Sequence, residues 1–268
     1  MRYGIDVSHW QGNIDWSKVK ASGKQFAILK CMYESSFRPD ETFEKNYEGC
    51  VKNGIDVGIY LYHARKSFEN PTLEANSALN ILKGRNLPYG IWLDLEDKNI
   101  RGKSKSEMNK FIQTEASIFK AKGYNVGIYC NKDWYYNVLD SSTLKKTYHF
   151  WIARYPSQDN GTVQESLSPK SYASGWQYSS KGRVSGISGN VDLDIDYGNM
   201  AVTLSGGSVA TLKGDIRIVT ADHLNARLEP NNGAILSTYE KGDKVYVVEE
   251  KNGWCKVQSW VSSGHLKK

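Results

Sequence analysis

The sequence has no uninterrupted apolar run approaching the length of a membrane span, and its start, MRYGID, lacks the apolar centre of a secretory leader. No membrane-spanning helix is therefore expected, and synthesis in the cytoplasm without a signal peptide is. Cysteine is scarce: Cys31, Cys50, Cys130 and Cys255 lie far apart, with no CxxC pair and no metal-ligand spacing. Buried thiols are expected, not a disulfide framework or a metal site. HExxH and a recognisable Cys/His constellation are also missing, which argues against a peptidase or amidase. The 35 Lys and Arg exceed the 29 Asp and Glu to leave a net charge of +6, but they form no arginine-rich block. Nucleic acid is not indicated as a partner; an anionic polymer is plausible.

What the chain does contain is alternation. Up to about residue 200, short β-type runs at 4–7, 26–31, 57–62 and 89–97 are followed by helical patterns at 15–20, 44–52, 73–82 and 104–122. Ser104 stands where an N-cap would. Four further runs, at 126–130, 150–153, 175–178 and 191–195, have less helix between them. About eight strands in about 200 residues predict an α/β fold, an irregular TIM-like (β/α) barrel over residues 1–202, built on a parallel sheet. Residues 203–213, centred on SGGS, read as a linker. Residues 214–268 carry short strands broken by Gly, Pro and Asn and predict a second, small all-β barrel.

The run YGIWLDLED at 89–97 raises a chemical question, because a strand-forming stretch ends in clustered acids. Successive side chains of a strand point to opposite faces, so Asp94 and Glu96 share a face with Cα atoms about 6 to 7 Å apart. Like charges so placed repel. In a barrel of this type the active site lies at the C-terminal ends of the strands. Asp6 closes the first run, Asp94 and Glu96 the fourth, and Asp192 lies in the last, so closure would gather sequence-distant carboxylates at one mouth. Tyr33, Tyr60, Tyr62, Tyr129, Trp151, Tyr155 and Trp176 lie at or near strand ends and could line a cleft. His9 and His63 lack a partner at recognisable spacing and read as polar structural residues. Asp192, Asp194 and Asp196 alternate on one face. As an EF-hand starting at Asp192 they fail, with Tyr197 and Thr203 where Gly and Glu belong, so no metal or other cofactor is indicated.

GIDVS at 4–8, WLDLE at 92–96, WIARY at 151–155, WQY at 176–178 and GNVD at 189–192 stand in the order seen in Chalaropsis-type lysozymes. Residues 1 to about 200 thus resemble glycoside hydrolase family 25. LNAR at 224–227, KGD at 241–243, GW at 253–254 and WVSS at 260–263 resemble a bacterial SH3 domain. The resemblance implies a muramidase of the phage endolysin or bacterial autolysin kind. It would cleave the β-1,4 bond between N-acetylmuramic acid and N-acetylglucosamine in the peptidoglycan of Gram-positive bacteria, with the second domain holding the wall.

In that family pattern the catalytic set is Asp6, Asp94, Glu96 and Asp192, with Glu96 as general acid. Asp94 would orient the substrate's own N-acetyl group, with retention of configuration. Tyr33, Tyr62, Tyr129, Trp151, Tyr155 and Trp176 would bind substrate. The expected electrostatics have Asp94 and an aromatic wall raising Glu96 while Asp94 stays ionised. A chitinase would need Asp where the chain has Tyr89 and Trp92, and a non-catalytic wall-binding protein would have no need of converging charges.

Overall fold

The computed structural model describes residues 1–201, 215–227, 230–231, 235–247, 249–257, 260–262 and 266–267. The chain divides into two compact units, Met1–Thr203 and Leu204–Lys268. The boundary expected at 202 and the linker at 203–213 lie outside the described residues.

The first unit is a closed eight-stranded barrel in sequence order: β1 (Arg2–Val7), β2 (Phe26–Lys30), β3 (Asp56–Tyr62), β4 (Ile91–Asp94), β5 (Val126–Asn131), β6 (Phe150–Ala153), β7 (Gly175–Gly182) and β8 (Val191–Asp196). Strands buried on both faces are written in near-continuous apolar residues, as FAILK of β2 illustrates. The helices α1 (Trp16–Ala21), α2 (Phe43–Lys52), α3 (Arg65–Glu69), α4 (Pro71–Leu82), α5 (Lys105–Lys120) and α6 (Ser141–Leu144) fall between strands of the first six. Three of their starts are chemically marked. Asp15 caps α1 through the Lys18 N–H, α4 begins on a proline, and Ser104 with Glu107 forms a reciprocal capping box on α5.

One feature of the expected topology is corrected. β1 to β7 are parallel, but β8 runs antiparallel to both β7 and β1. Only residues 183–190 join β7 to β8, fewer than the dozen or so that a crossover connection needs, so the chain must turn back as a hairpin. The reversal brings the start of β8, and with it Asp192, level with Asp6 near the end of β1.

Two apolar layers hold the barrel. Phe26, Ile28, Tyr89, Trp92, Tyr129 and Trp151 fill its interior. The alternate residues of the same strands, such as Ile5, Leu29, Leu61, Leu93, Ile128 and Ile152, pack outward beneath the helices. Gly127 is required by this filling: a Cβ there would collide with the Trp92 ring.

The second unit is entirely antiparallel in its described pairings. β9 (Asp215–Val219), β12 (Lys244–Val247) and β16 (Leu266–Lys267) form a three-stranded sheet. β10 (His223–Arg227), β11 (Ile235–Glu240), β13 (Glu249–Lys251), β14 (Trp254–Lys256) and β15 (Trp260–Ser262) form a five-stranded one. Val219, Leu224, Ala226, Val245, Val247, Cys255 and Val257 make its small core. Of the stretches that resemble an SH3 domain, Ser263 lies outside the described residues.

Candidate active site

Alternation along the strands decides which side chains enter the barrel mouth. Asp6 is the fifth residue of β1 and Asp94 the last of β4, and both are almost wholly buried. Glu96 lies beyond the strand, but the ladder continues under it, since the Leu95 N–H donates to the Tyr129 carbonyl at 2.9 Å. It therefore keeps the inward phase of Asp94. Asp192 is second in β8 and pairs with Asp6 in the β1–β8 register. All four acids line one cleft of about 650 Å³. Tyr33, Tyr62, Tyr129, Trp151 and Tyr155 line it with them, as do Tyr60, His9, Trp10, Lys30, Glu34, Gln177 and Ser180. Trp10 is 81% exposed and Tyr33 packs against His9, whose Nδ1 lies 2.8 Å from Asp40 Oδ2.

Removing carboxylates from water makes them hold protons more tightly. Burial, then the charges of Asp192 and Asp194, pushes Asp6 well above the usual carboxylate range. Burial and then Glu96 do the same to Asp94, opposed by the Lys30 ammonium. Burial, followed by Asp192 and Asp97, raises Glu96, and burial pushes Asp192 up to about 6.

Both members of the expected pair are thus raised, Asp94 well above the usual carboxylate range. Asp94 sits deeper than Glu96, and burial acts on it more strongly. Its Oδ1 is buried with no hydrogen-bond partner among the described residues. An incoming N–H donor would supply that partner and favour the carboxylate. Chemically the cleft offers a proton donor beside an acceptor waiting for a donor, between aromatic walls suited to sugar rings.

One expected member stands elsewhere. Trp176 is fully buried, belongs to the outer layer beneath the helices, and donates its Nε1–H to the Arg154 carbonyl at 2.8 Å. Its neighbour Gln177 takes the inward phase instead. His63 is buried behind the wall, its Nδ1 3.2 Å from Glu74 and its Nε2 3.3 Å from Glu115. The three could approach one ion; the ring is hydrogen-bonded to Glu74 through Nδ1, whereas Nε2 and both Glu115 oxygens are buried with no hydrogen-bond partner among the described residues. Cys130, fully buried in the outer layer with its thiol pushed up by burial, has no access to the cleft.

Sequence reasoning missed Gln177, Asp194, Lys30 and Trp10 as site residues. In WQY only one of Trp176 and Gln177 can face inward on a strand, and it is Gln177. Asp194 carried a signal too, since it shares the face of Asp192.

The model of glycosyl hydrolases family 25 matches residues 5–187. The chain is 32% identical over 213 residues to "Lysozyme M1" of Streptomyces globisporus, covering 75% of this chain and 70% of that protein. Among solved structures it is similar to a bacterial lysozyme of Streptomyces coelicolor, with 30% identity, a TM-score of 0.58, and coverage of 74% of this chain and 92% of that one. It is also similar to the catalytic domain of endolysin ply40 from bacteriophage P40 of Listeria monocytogenes, at 26% identity and TM-score 0.60, covering 75% and 95% of the two chains. A family match that takes in the acid-bearing strands β1 and β4, joined to a barrel whose mouth gathers four acids, establishes that the chain is a glycoside hydrolase belonging to family 25.

Proposed function

We propose that the protein is a lysozyme, an N-acetylmuramidase that cleaves the β-1,4 bond between N-acetylmuramic acid and N-acetylglucosamine in peptidoglycan. The observation that carries this reading is the convergence of Asp6, Asp94, Glu96 and Asp192 in one aromatic-walled cleft. Glycoside cleavage needs a proton for the departing oxygen and an electron-rich group to meet the positive charge that grows on the sugar ring. Glu96, raised by burial yet less deeply set than Asp94, is the general acid.

Asp94, as the carboxylate, accepts the acetamido N–H of the substrate on its unpartnered Oδ1 and orients this group. The acetamido oxygen then attacks the anomeric carbon from the face opposite the leaving group, and water later opens the intermediate with net retention. Asp6 and Asp192 complete the cleft. Tyr33, Tyr62, Tyr129, Trp151 and Tyr155 hold the sugars; Trp176 supports the wall from behind.

Residues 214–268 are read as an SH3-type domain that binds the wall, with Gram-positive peptidoglycan and anionic wall polymers as its partners. The paired antiparallel sheets and the strand-borne LNAR and GW stretches support it. The whole is read as a phage endolysin, made in the host cytoplasm and acting at the wall after release, with a bacterial autolysin of the same activity as the alternative; the chain is similar to proteins of both kinds.

The test is digestion of purified Gram-positive peptidoglycan by the wild type and Glu96→Gln. New muramic acid reducing ends are expected from the wild type, with the mutant slower by roughly 10²- to 10⁴-fold. Release of new amines alone, or no cleavage, would refute the reading. Proton NMR of the first-formed anomer addresses the assisted step, which net inversion would eliminate.

A further inference from the structure

Asp6 is held by an arrangement that the catalytic set does not explain. Gln177 Nε2 donates to Asp6 Oδ2 at 2.6 Å. The opposite end of that amide is occupied as well: Gln177 Oε1 accepts from the Tyr129 hydroxyl at 2.7 Å and from the Tyr155 hydroxyl. Two phenols donating to one oxygen use both of its lone pairs and determine which way the amide points. A flipped amide would set its oxygen against the Asp6 carboxyl. On the other side stands Asp194, wholly buried, its Oδ1 accepting the Trp151 indole N–H at 3.0 Å. Asp194 Oδ2 is buried with no hydrogen-bond donor among the described residues, and the Asp6 carboxyl lies against the side chains of Asp194 and of its register partner Asp192. Two buried carboxyl groups in contact are joined only by a proton.

We propose that Gln177 and Asp194 are positioning residues for Asp6, clamping its carboxyl from two sides so that it shares one proton with Asp194 and presents a single orientation to the sugar. The inference rests on Asp6 belonging to the catalytic cleft. The groups that face the pair are Asp192 from β8, Tyr60 from β3, Asp94 from β4, Tyr129 from β5 and Tyr155 after β6. All are acids or phenols. Lys24, ahead of β2, acts on Asp194 as a cation, but it is the smallest of the influences on that group. A proton, not a salt bridge, therefore relieves the repulsion. The arrangement removes one negative charge from a crowded cleft and ties Asp6 through β7 and β8 to the wall residues Tyr129, Trp151 and Tyr155.

The test compares Asp194→Asn and Gln177→Glu with the wild type and with Glu96→Gln, using pH–rate profiles and ¹³C NMR titration of aspartate-labelled protein. Asn can donate to Asp6 where the shared proton stood, so Asp194→Asn should fold yet abolish the shared titration. Its pH–rate profile should move, and kcat should fall roughly 10- to 100-fold with KM little changed, as expected for misplacement of a reacting-centre group. Gln177→Glu should displace the acid limb to higher pH by adding a further carboxyl to the pair. In the wild type, the Asp6 and Asp194 signals should titrate together in two steps, the signature of a coupled pair. Independent single-step titrations of these two aspartates would overturn the clamp even if a variant failed to fold. Unchanged profiles and kcat in both variants, beside an inactive Glu96→Gln, would overturn it while leaving the catalytic assignment intact. A fully active Glu96→Gln would instead refute the assignment, with the NMR titration still deciding the clamp.

Discussion

Replacing Asp192 with Asn should make the barrel more stable at neutral pH and leave it nearly unchanged in acid. Burial pushes this carboxyl from an ordinary 3.8 up to about 6. The folded state thus binds the Asp192 proton more tightly than the unfolded chain does. Stability from that proton is fully present below about pH 3.8 and is lost as pH rises through about 6. Above that window the folded protein carries a carboxylate that burial disfavours by about 3 kcal/mol, at about 1.4 kcal/mol per unit. Asp192 keeps some solvent contact, so the recoverable part is about 1–3 kcal/mol. At about 2–4 °C per kcal/mol for a domain of this size, Tm should rise about 2–12 °C.

The assay is calorimetry of wild type and Asp192→Asn at about pH 4 and about pH 7.5, on either side of the titration. Any packing cost of Asn is common to both conditions and cancels in the difference. Peptidoglycan cleavage should fall while stability rises, because the destabilising charge belongs to the site. An equal change in Tm at both pH values, or destabilisation confined to neutral pH, would refute the electrostatic account.

Trp176→Phe removes a buried indole and its bond to the Arg154 carbonyl without touching the cleft. It should cost about 2 kcal/mol in urea unfolding, while kcat/KM stays within about threefold; a large loss of rate at preserved stability would return Trp176 to the binding wall. The net charge of +6 leads to the expectation that binding of the whole chain to cell walls weakens as salt shortens the screening length, from about 30 Å at 0.01 M to about 3 Å at 1 M. Pull-down on purified walls measures it, and binding independent of ionic strength would remove electrostatics from wall recognition.

Much of the barrel was legible because its signals are local. Continuous apolar runs such as FAILK mark strands buried on both faces, and helical patterns separate the earlier ones, so eight strands could be counted. Asp6 and the Asp94–Glu96 pair were legible for the same reason, since a carboxylate closing a strand of such a barrel has one destination; Asp192, at the start of β8, reaches the mouth because that strand is reversed. The reversal of β8 was less visible: VDLDID reads the same in either direction, and only the shortness of residues 183–190 hinted at a hairpin.

The sequence by itself determined the alternation of strands and helices, the placing of Asp6, Asp94 and Glu96 at strand ends, and the membership those motifs imply. Tertiary structure decided what depends on closure. It set the inward phase of β7, and so exchanged Trp176 for Gln177; it brought Asp194 against Asp6; and it buried Asp94 more deeply than Glu96. Period along a strand is a property of neighbouring residues, whereas the phase of that strand, its direction and the dielectric around each acid are set by strands distant in sequence.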